Sequence, residues 1–436
     1  MNALLDIGIL DGPLVIAVYA VALITAGLLL VVRPSTRWRR SRWVATYLVA
    51  AVVGALIGIG TTWLLSDQLD LFGVSLTFVS RLWIALGFGA IATAIVSFRR
   101  ARWRRRIANL LAILVFVLVS AMSINIDFGE YPTVRSALGI SAYAGVELPP
   151  PPTPGATPAT TIATWTAPAD MPTKGRIAQV DIPGTVSGFD ARPAVVYLPP
   201  AALTSDAPAL PVLIMMSGQP GSPESPLETA KLEDSANAYA AAHQGLAPII
   251  VSPDQLGSPD VNPMCVDSPL GNSATYLTVD VPAWITANLS VLGGPQDWGI
   301  GGLSQGGTCS IQLGAAHPEL FGAILDASGE EYPKLGDEKT TIDKGFGGDA
   351  ARYAAAHPAA IMAAKAPYSD TIAVFGVGSE DAAYLPGVQA LYRDAQAAGM
   401  DATYVEAPGS AHDATTWSYV FQKGLTLIAD HWGLNR

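Results

Sequence analysis

Four apolar runs within the first 130 residues constrain the fold of this chain more than any other sequence feature. They cover residues 14–32, 43–65, 76–98 and 107–124. At a rise of about 1.5 Å per residue, a helix of such a length crosses a hydrocarbon core about 30 Å thick. We therefore expect four transmembrane helices that form an α-helical membrane domain.

The ends of the first and third runs carry charged residues that refine this expectation. Asp6 and Asp11 precede the first run, where a cleavable signal peptide carries basic residues, so we expect that run to stay in the mature protein. The third run contains Arg81, whose methylene stem lets the charged end reach the membrane surface. Residues 82–98 then form its apolar stretch.

Arginines in the connecting loops predict the orientation of the four spans. Short cytoplasmic loops collect Lys and Arg, so the loops after the first and third spans belong inside the cell. The N-terminus and the loop with Asp67 and Asp70 hold neither Lys nor Arg and belong outside, as does everything after the fourth span. The loop arginines are Arg33, Arg37, Arg39, Arg40 and Arg42, and then Arg99, Arg100, Arg102, Arg104, Arg105 and Arg106.

Two glycines in the second run bear on how the helices pack. Gly54 and Gly58 form a GxxxG pair, which places both on one helix face and lets a neighbouring backbone approach closely. In an apolar, Gly-rich span the pattern is weak evidence for a specific dimer. We expect the pair to serve packing within the bundle.

Charge and proline content divide the rest of the chain. Residues 1–130 hold 12 of the 25 Lys and Arg but 6 of the 36 Asp and Glu, so the remainder is strongly acidic, which argues against nucleic acid as a partner. We expect a transmembrane domain over 1–125, an extracellular segment with an extended proline-rich linker over 126–173, and a second domain over 174–436. The linker prolines are Pro149, Pro150, Pro151, Pro152, Pro154 and Pro158.

The second domain alternates short β-rich runs with helical stretches. This alternation predicts a mainly parallel sheet covered by helices on both faces. The expected strands are 194–198, 211–216, 248–251, 298–301, 323–325, 372–377 and 402–405, and the expected helices are 274–289, 305–317, 385–398 and 415–431.

A GxSxG motif lies between one of these strands and the following helix. It reads Gly302-Leu303-Ser304-Gln305-Gly306. In α/β hydrolases this pattern forms the nucleophile elbow, a sharp turn that strains and exposes the serine while glycines let the backbone pass close to its neighbours. The alternative is a tight Gly-rich turn with an idle serine. We predict that Ser304 is a nucleophile.

A serine hydroxyl needs a base, and His412 is the best candidate among five histidines. It lies in a predicted loop after a strand and before the last helix, and α/β hydrolases follow the chain order Ser, acid, His. A solvated loop histidine is the alternative. The remaining histidines, in or at the ends of helical stretches, are His243, His317, His357 and His431.

The acid that orients the imidazole should follow the strand between nucleophile and histidine. Asp381 fits the common Gly-x-x-Asp spacing after the 372–377 strand, and we predict that it is the acid. Glu380 and Asp326 remain alternatives.

The oxyanion hole should use two backbone N–H groups. Gln305 supplies one, directly after the nucleophile, and the loop 217–221 after the 211–216 strand supplies the other. Within that loop we predict Gln219 as the donor, because Pro220 has no N–H.

Cys265 and Cys309 are the two cysteines of the chain, and both fall in the acidic part. An even pair beyond a membrane anchor suits an oxidising compartment and a single disulfide. Two buried free thiols are the alternative. No HExxH motif, clustered His/Cys spacing or phosphate loop is present, so neither a metal nor a cofactor is expected.

Residues 175 to 435 resemble the esterase branch of the α/β hydrolases that includes esterase D-like enzymes and the mycolyltransferases of mycolic-acid-bearing envelopes. The resemblance rests on residues 302–307, on the loop 217–219, where Ser217 replaces the usual His or Asp, and on 409–412 with Trp417 beyond. Segments 265–277 and 308–310 are similar to secreted members, which implies a Cys265–Cys309 disulfide.

These features together predict a membrane-anchored extracellular serine esterase that forms an acyl-enzyme on carboxylic esters or acyl lipids. The alternatives are a mycolyltransferase-like envelope acyltransferase, which the resemblance implies although mycolyltransferases usually carry a Glu as acid, and a catalytically inactive binding module. A further alternative is a helical bundle that itself transports a substrate or senses a signal. The small number of ionisable groups in the spans beyond Arg81 argues against it.

Overall fold

The computed structural model describes residues 2–33, 39–69, 76–99, 101–151, 160–259 and 261–436. The chain divides into two compact units, Met1–Ile140 and Ser141–Arg436, and each is described by itself. Some residues used in the predictions above lie outside the described residues. They are Arg37, Asp70, Arg100, Pro152, Pro154 and Pro158.

Within the described residues, the first unit is built from four long apolar helices, as predicted. Each is long and apolar enough to cross a membrane, judged by length and composition. Helix α2 continues into a wider π-helical segment, Trp63–Gln68. The four helices are α1 (Pro13–Val31), α2 (Arg40–Thr62), α3 (Phe78–Val96) and α4 (Trp103–Phe128), and single helical turns lie at Asn2–Leu5 and Val134–Ala137.

Arg81 and Asp67 form an ion pair at one end of this unit. The Arg81 Nη1 donates to Asp67 Oδ2 at 2.8 Å, and its Nε donates to the Leu76 carbonyl at 2.8 Å. Because Asp67 lies in the π-helical end of α2, the pair ties that segment to the start of α3. The charge of Arg81 is thus neutralised locally instead of standing alone in the apolar stretch.

The GxxxG pair of α2 faces α3, which confirms the prediction that it serves packing within the bundle. A Cβ atom added to Gly54 would lie 2.5 Å from the Phe88 carbonyl oxygen, and one on Gly58 would lie 2.9 Å from the Cα of Ala85. The two backbones therefore touch at both positions, and dispersion contacts replace side-chain interdigitation.

Replacing Gly54 by Val should lower the unfolding temperature of the full-length protein in detergent. The new side chain would force α2 and α3 apart, and overpacking of this kind costs about 1–3 kcal/mol. Gly60→Val is the matched control, because it lies on the same helix and a Cβ there meets no atom within 4 Å. Equal unfolding temperatures for both variants would contradict the close contact.

The second unit contains an α/β-hydrolase sheet, as predicted. In the described residues it has eight strands in the order β1-β2-β4-β3-β5-β6-β7-β8. β2 pairs antiparallel with β1 and β4, and all other neighbours are parallel. The strands are β1 (Arg176–Val180), β2 (Ala194–Leu198), β3 (Val212–Met216), β4 (Ile249–Ser252), β5 (Trp298–Leu303), β6 (Ala323–Ala327), β7 (Ile372–Gly378) and β8 (Asp401–Ala407).

The central strands are buried at every position because helices cover both faces of the sheet. This is why their sequences read as continuous apolar runs rather than alternating ones. The helices are α5 (Leu232–Ala242), α6 (Val281–Asn288), α7 (Gln305–Ala316), α8 (Glu338–Phe346), α9 (Ala350–Ala355), α10 (Pro358–Lys365), α11 (Leu385–Ala397) and α12 (Ala414–His431). Short helical segments lie at Ile162–Thr164, Pro200–Leu203, Ser225–Glu228, Ser273–Thr275, Tyr276–Asp280 and Pro295–Asp297, and a small hairpin pairs Asp267–Ser268 with Gly271–Asn272.

The structure adds elements that the sequence patterns did not predict. Strand β1 lies at one edge of the sheet, and helices α8, α9 and α10 fill the long connection between β6 and β7. Upstream of β1, Trp165 is buried and its Nε1 donates to the Gln244 carbonyl at 2.9 Å. The chain is therefore already packed against this unit before residue 174.

Candidate active site

Ser304 stands at the junction of β5 and α7 in a strained backbone conformation. Its φ of 53° and ψ of −119° lie in a region that non-glycine residues rarely adopt. The turn is possible because its neighbours lack side chains: a Cβ on Gly302 would lie 2.4 Å from the Gly306 carbonyl carbon, and one on Gly306 would lie 2.5 Å from the Ser217 carbonyl oxygen. This is the geometry of a nucleophile elbow.

The structure brings Ser304, His412 and Asp381 together. His412 Nε2 lies 2.9 Å from Ser304 Oγ, and His412 Nδ1 lies 2.9 Å from Asp381 Oδ2. When Nδ1–H donates to the carboxylate, Nε2 is free to accept the serine proton. Both His412 and Asp381 are largely buried, so water competes little for these hydrogen bonds.

The two alternative acids lie elsewhere. Glu380 is exposed, and its backbone N–H donates to the Ser410 carbonyl at 2.9 Å. Asp326 is fully buried at the end of β6, where its Oδ1 accepts from the Gly329 N–H at 2.8 Å. Of the three carboxylates considered, Asp381 is the one that contacts His412.

The loop that carries His412 is fixed by Asp413, the N-terminal cap of α12. Its carboxylate accepts from the backbone N–H groups of Ala411, Thr415 and Thr416 at 2.9–3.1 Å and from the Ser410 hydroxyl at 2.7 Å. A cap of this kind stabilises both the helix and the turn before it. The Asp-x-Thr-Thr pattern in the sequence is a signal that could have identified this role.

Two aromatic side chains hold the imidazole in place. The Tyr384 ring stacks on His412 with centroids 4.0 Å apart, and the Trp417 ring meets it edge-on at 5.6 Å. The Tyr384 N–H also donates to Asp381 Oδ1 at 3.3 Å. Sequence reasoning noted Trp417 but missed Tyr384, because a tyrosine at the start of a helix is no signal by itself.

The loop 217–221 lies against the nucleophile. A Cβ on Gly218 would lie 3.3 Å from the Ser304 Cβ. Among the described residues, no backbone carbonyl accepts from the Gln219 N–H. Gln305 begins α7, and its buried side chain points into a polar network described below. Gln305 and the loop that contains Gln219 therefore both lie beside Ser304.

Residues 190–426 match the protein family described as "Putative esterase", more than half of the chain. The chain belongs to this esterase family. An uncharacterised protein of Corynebacterium glutamicum is 31% identical over 453 residues, and the match covers all of both chains. Family membership makes the protein a carboxylic ester hydrolase of the serine-hydrolase type.

Two solved structures show the same fold at low identity. A ferulic acid esterase superposes with a TM-score of 0.51 at 18% identity. The superposition covers 60% of the present chain and 99% of the ferulic acid esterase. An S-formylglutathione hydrolase from Agrobacterium tumefaciens gives a TM-score of 0.50 at 18% identity, with 60% and 97% covered. At this identity the likeness concerns the α/β-hydrolase fold and carries no substrate.

The esterase contains the disulfide that its sequence predicts. Cys265 and Cys309 are bonded, with Cα atoms 5.6 Å apart, so the alternative of two free thiols is wrong. Cys309 lies one turn into α7, and its Sγ is 3.2 Å from Gln305 Nε2. The disulfide thus holds the start of α7 against the segment around residue 265.

The carboxyl group of Asp326 is fully buried on the strand next to the one that leads into Ser304. Burial raises the pKa of its carboxyl from the ordinary value of 3.8 to about 7. One oxygen, Oδ2, has no hydrogen-bond partner among the described residues. Because the folded state favours the neutral acid, the contribution of Asp326 to stability is greatest below about pH 4 and is lost as the pH rises through 7.

Asp326→Asn should therefore make the esterase more stable than wild type, by a margin that widens from pH 5 to pH 7 and then levels off. The amide keeps the acceptor for Gly329 but cannot ionise. Thermal unfolding of both proteins across this range measures the margin. Asp190→Asn, at an exposed position, is the control without such a trend, and a margin for Asp326→Asn that does not change with pH would disprove the role of burial.

Proposed function

We propose that the esterase hydrolyses carboxylic esters through an acyl-enzyme on Ser304, with His412 as general base and Asp381 as the acid of the triad. The observation that carries this proposal is the continuous hydrogen-bond chain from Ser304 Oγ through His412 to Asp381, with both distances at 2.9 Å. The strained φ of Ser304 supports it, since such strain is typical of functional positions.

The proposed reaction runs in two halves. His412 Nε2 accepts the proton of Ser304 as Oγ attacks the ester carbonyl, and the negative oxygen of the intermediate accepts hydrogen bonds from the N–H groups of Gln219 and Gln305. Collapse of the intermediate releases the alcohol, which takes the proton from His412. Water, deprotonated by the same imidazole, then attacks the acyl-enzyme. As the bond from the acyl carbon to Ser304 Oγ breaks and the acid is released, His412 returns the proton to Oγ.

Water is proposed as the acceptor because the family is one of esterases. An envelope alcohol would use the same acyl-enzyme. The substrates proposed are esters of the cell envelope, including acyl lipids, because a bilayer anchor keeps the catalytic domain near them.

We further propose that residues 1–125 anchor the protein in the plasma membrane, that 126–173 form a tether whose last part packs on the catalytic domain through Trp165, and that the catalytic domain, 174–436, is extracellular. The arginines after α1 and α3 support this orientation, because they favour the cytoplasmic side. The disulfide supports it independently, because disulfides persist in oxidising compartments.

Labelling with a fluorophosphonate tests the nucleophile directly. The full-length protein should be labelled, Ser304→Ala should not be, and His412→Ala should react much more slowly and lose about 10³-fold or more in ester hydrolysis. Ser369→Ala and His317→Ala, at more exposed positions away from the triad, are the matched controls. A folded wild type that is neither labelled nor active would favour a binding module instead.

Thiol accessibility in intact cells tests the orientation. The native cysteines are bonded, so introduced cysteines report alone. A membrane-impermeant maleimide should label Ser369→Cys in intact cells but label Arg104→Cys only after lysis, because the first turn of α4 and the loop before it are proposed to be cytoplasmic. The opposite pattern would reverse the proposed topology.

A further inference from the structure

Two buried polar residues follow β4, and β4 pairs with β3, the strand that leads into the loop 217–221. Asp254 and Gln255 are both fully buried. Burial of a carboxylate and an amide is costly unless their hydrogen bonds are satisfied, so the contacts of these side chains indicate what they hold.

Gln255 joins the two segments that supply the proposed oxyanion donors. Its Nε2 donates to the Ser217 carbonyl at 2.7 Å and to Gln305 Oε1 at 3.0 Å, and it lies 3.3 Å from Ser217 Oγ. Ser217 begins the loop that contains Gln219, and Gln305 is the residue after the nucleophile. A single side-chain amide therefore sets the position of one segment relative to the other.

The Gln305 side chain is held from its other end as well. Its Nε2 donates to Asn262 Oδ1 at 3.0 Å and lies 3.2 Å from Cys309 Sγ. Asn262 in turn donates to the Lys334 carbonyl at 3.1 Å. Both ends of the Gln305 amide are thus engaged within the protein, and what this residue can offer a substrate is its backbone N–H.

Arg192 and Asp254 fix the far end of the loop. Arg192 Nη1 donates to the Gly221 carbonyl at 3.0 Å, while its Nε and Nη2 donate to the two oxygens of Asp254 at 2.9 and 2.7 Å. This bidentate pair leaves the guanidinium little freedom. Gly221 itself must be a glycine, because a Cβ there would lie 2.4 Å from the Gly218 carbonyl oxygen.

We propose that Gln255, together with the Arg192–Asp254 pair, is a positioning device that aims the N–H groups of Gln219 and Gln305 at one point beside Ser304. Peptide groups are planar, so holding the Ser217 carbonyl fixes the plane of the Ser217–Gly218 peptide, and holding the Gly221 carbonyl fixes the peptide after Gly221. The peptide that carries the Gln219 N–H lies between these two held groups, which restricts its orientation. This inference rests on the proposed function, because it assigns a role to those donors.

A device of this kind acts on the transition state. The N–H groups stabilise charge that develops on the carbonyl oxygen, so misaligned donors lower kcat and leave ground-state binding nearly unchanged. Among the described contacts, none of the hydrogen bonds of Gln255 reaches His412 or Asp381, so the pH dependence set by the imidazole should not move.

Gln255→Met tests the inference, because it keeps the shape of the side chain and removes the donor. We expect kcat for ester hydrolysis to fall about 10- to 100-fold, since displacements near 1 Å and loss of oxyanion donors have effects of this order, with KM within about twofold and an unchanged pH profile. Gln312→Met is the matched control: Gln312 is also buried and donates to a backbone carbonyl, that of Cys265, at 3.0 Å.

A double-mutant cycle separates positioning from general loss of stability. Gln305→Met removes one acceptor of the Gln255 amide while keeping the backbone N–H and the contact of Gln255 with Ser217. Gln305→Met should therefore lower kcat by no more than Gln255→Met, and the double variant should lose little more than Gln255→Met alone. Should Gln255→Met fail to fold, Gln305→Met and Arg192→Lys, which keeps the charge without the bidentate fork, give the same readout of lowered kcat at constant KM.

The outcomes distinguish this inference from the proposed function beneath it. A kcat for Gln255→Met and Gln305→Met equal to that of Gln312→Met would overturn the positioning role, whatever the stabilities. Hydrolysis retained by Ser304→Ala would overturn the proposed function instead. Lowered kcat in both glutamine variants, with labelling of Ser304 intact, supports both.

Discussion

The close approach of helix α7 to the loop after β3 is the constraint on which the site depends. Gly306 lies against the Ser217 carbonyl, and the Ser304 N–H donates to the Ala327 carbonyl at 2.8 Å, so the strained serine is held from two neighbouring strands. Strain of this kind costs about 1–3 kcal/mol and persists only where the surroundings determine the conformation. The packing of α7 therefore fixes both the proposed nucleophile and one of the proposed oxyanion donors.

The parallel sheet brings the remaining parts to the same edge. β3, β5, β7 and β8 run parallel, so their carboxyl ends lie along the same edge of the sheet, and the loop 217–221, Ser304, Asp381 and His412 follow these ends. Ser304 and His412 are 108 residues apart in the chain, yet the sheet places their side chains within hydrogen-bond distance. Each part is positioned by a rigid strand and by the cap or turn that follows it.

Local patterns explain what could be predicted from the sequence. Continuous apolar runs identified seven of the eight sheet strands and all four membrane-length helices, while GxSxG and a loop histidine identified Ser304 and His412. The Gly-x-x-Asp spacing favoured Asp381 over Glu380, but both follow the same strand, and only the fold shows that Asp381 is the one that contacts His412. Strand β1 was missed because Arg176 and Gln179 break its apolar pattern at the sheet edge.

The positioning contacts were beyond sequence reasoning for a different reason. Gln255 lies 38 residues from Ser217 and 50 from Gln305, and Arg192 lies 62 from Asp254. Isolated polar residues after a strand carry no periodicity and no motif, so their significance appears only when burial shows that they must have partners.

The disulfide bears both on the geometry of the proposed site and on the side of the membrane that the catalytic domain is proposed to occupy. Cys309 packs against the Gln305 amide at the start of α7, so the bond to Cys265 supports the helix end beside Ser304 and the proposed oxyanion donor Gln305. A disulfide persists where the surroundings are oxidising. In the proposed orientation, the arginines that keep two loops of the membrane unit inside the cell thus also place this bond where it is stable. The proposed oxyanion hole is then supported by a crosslink that a reducing compartment would remove.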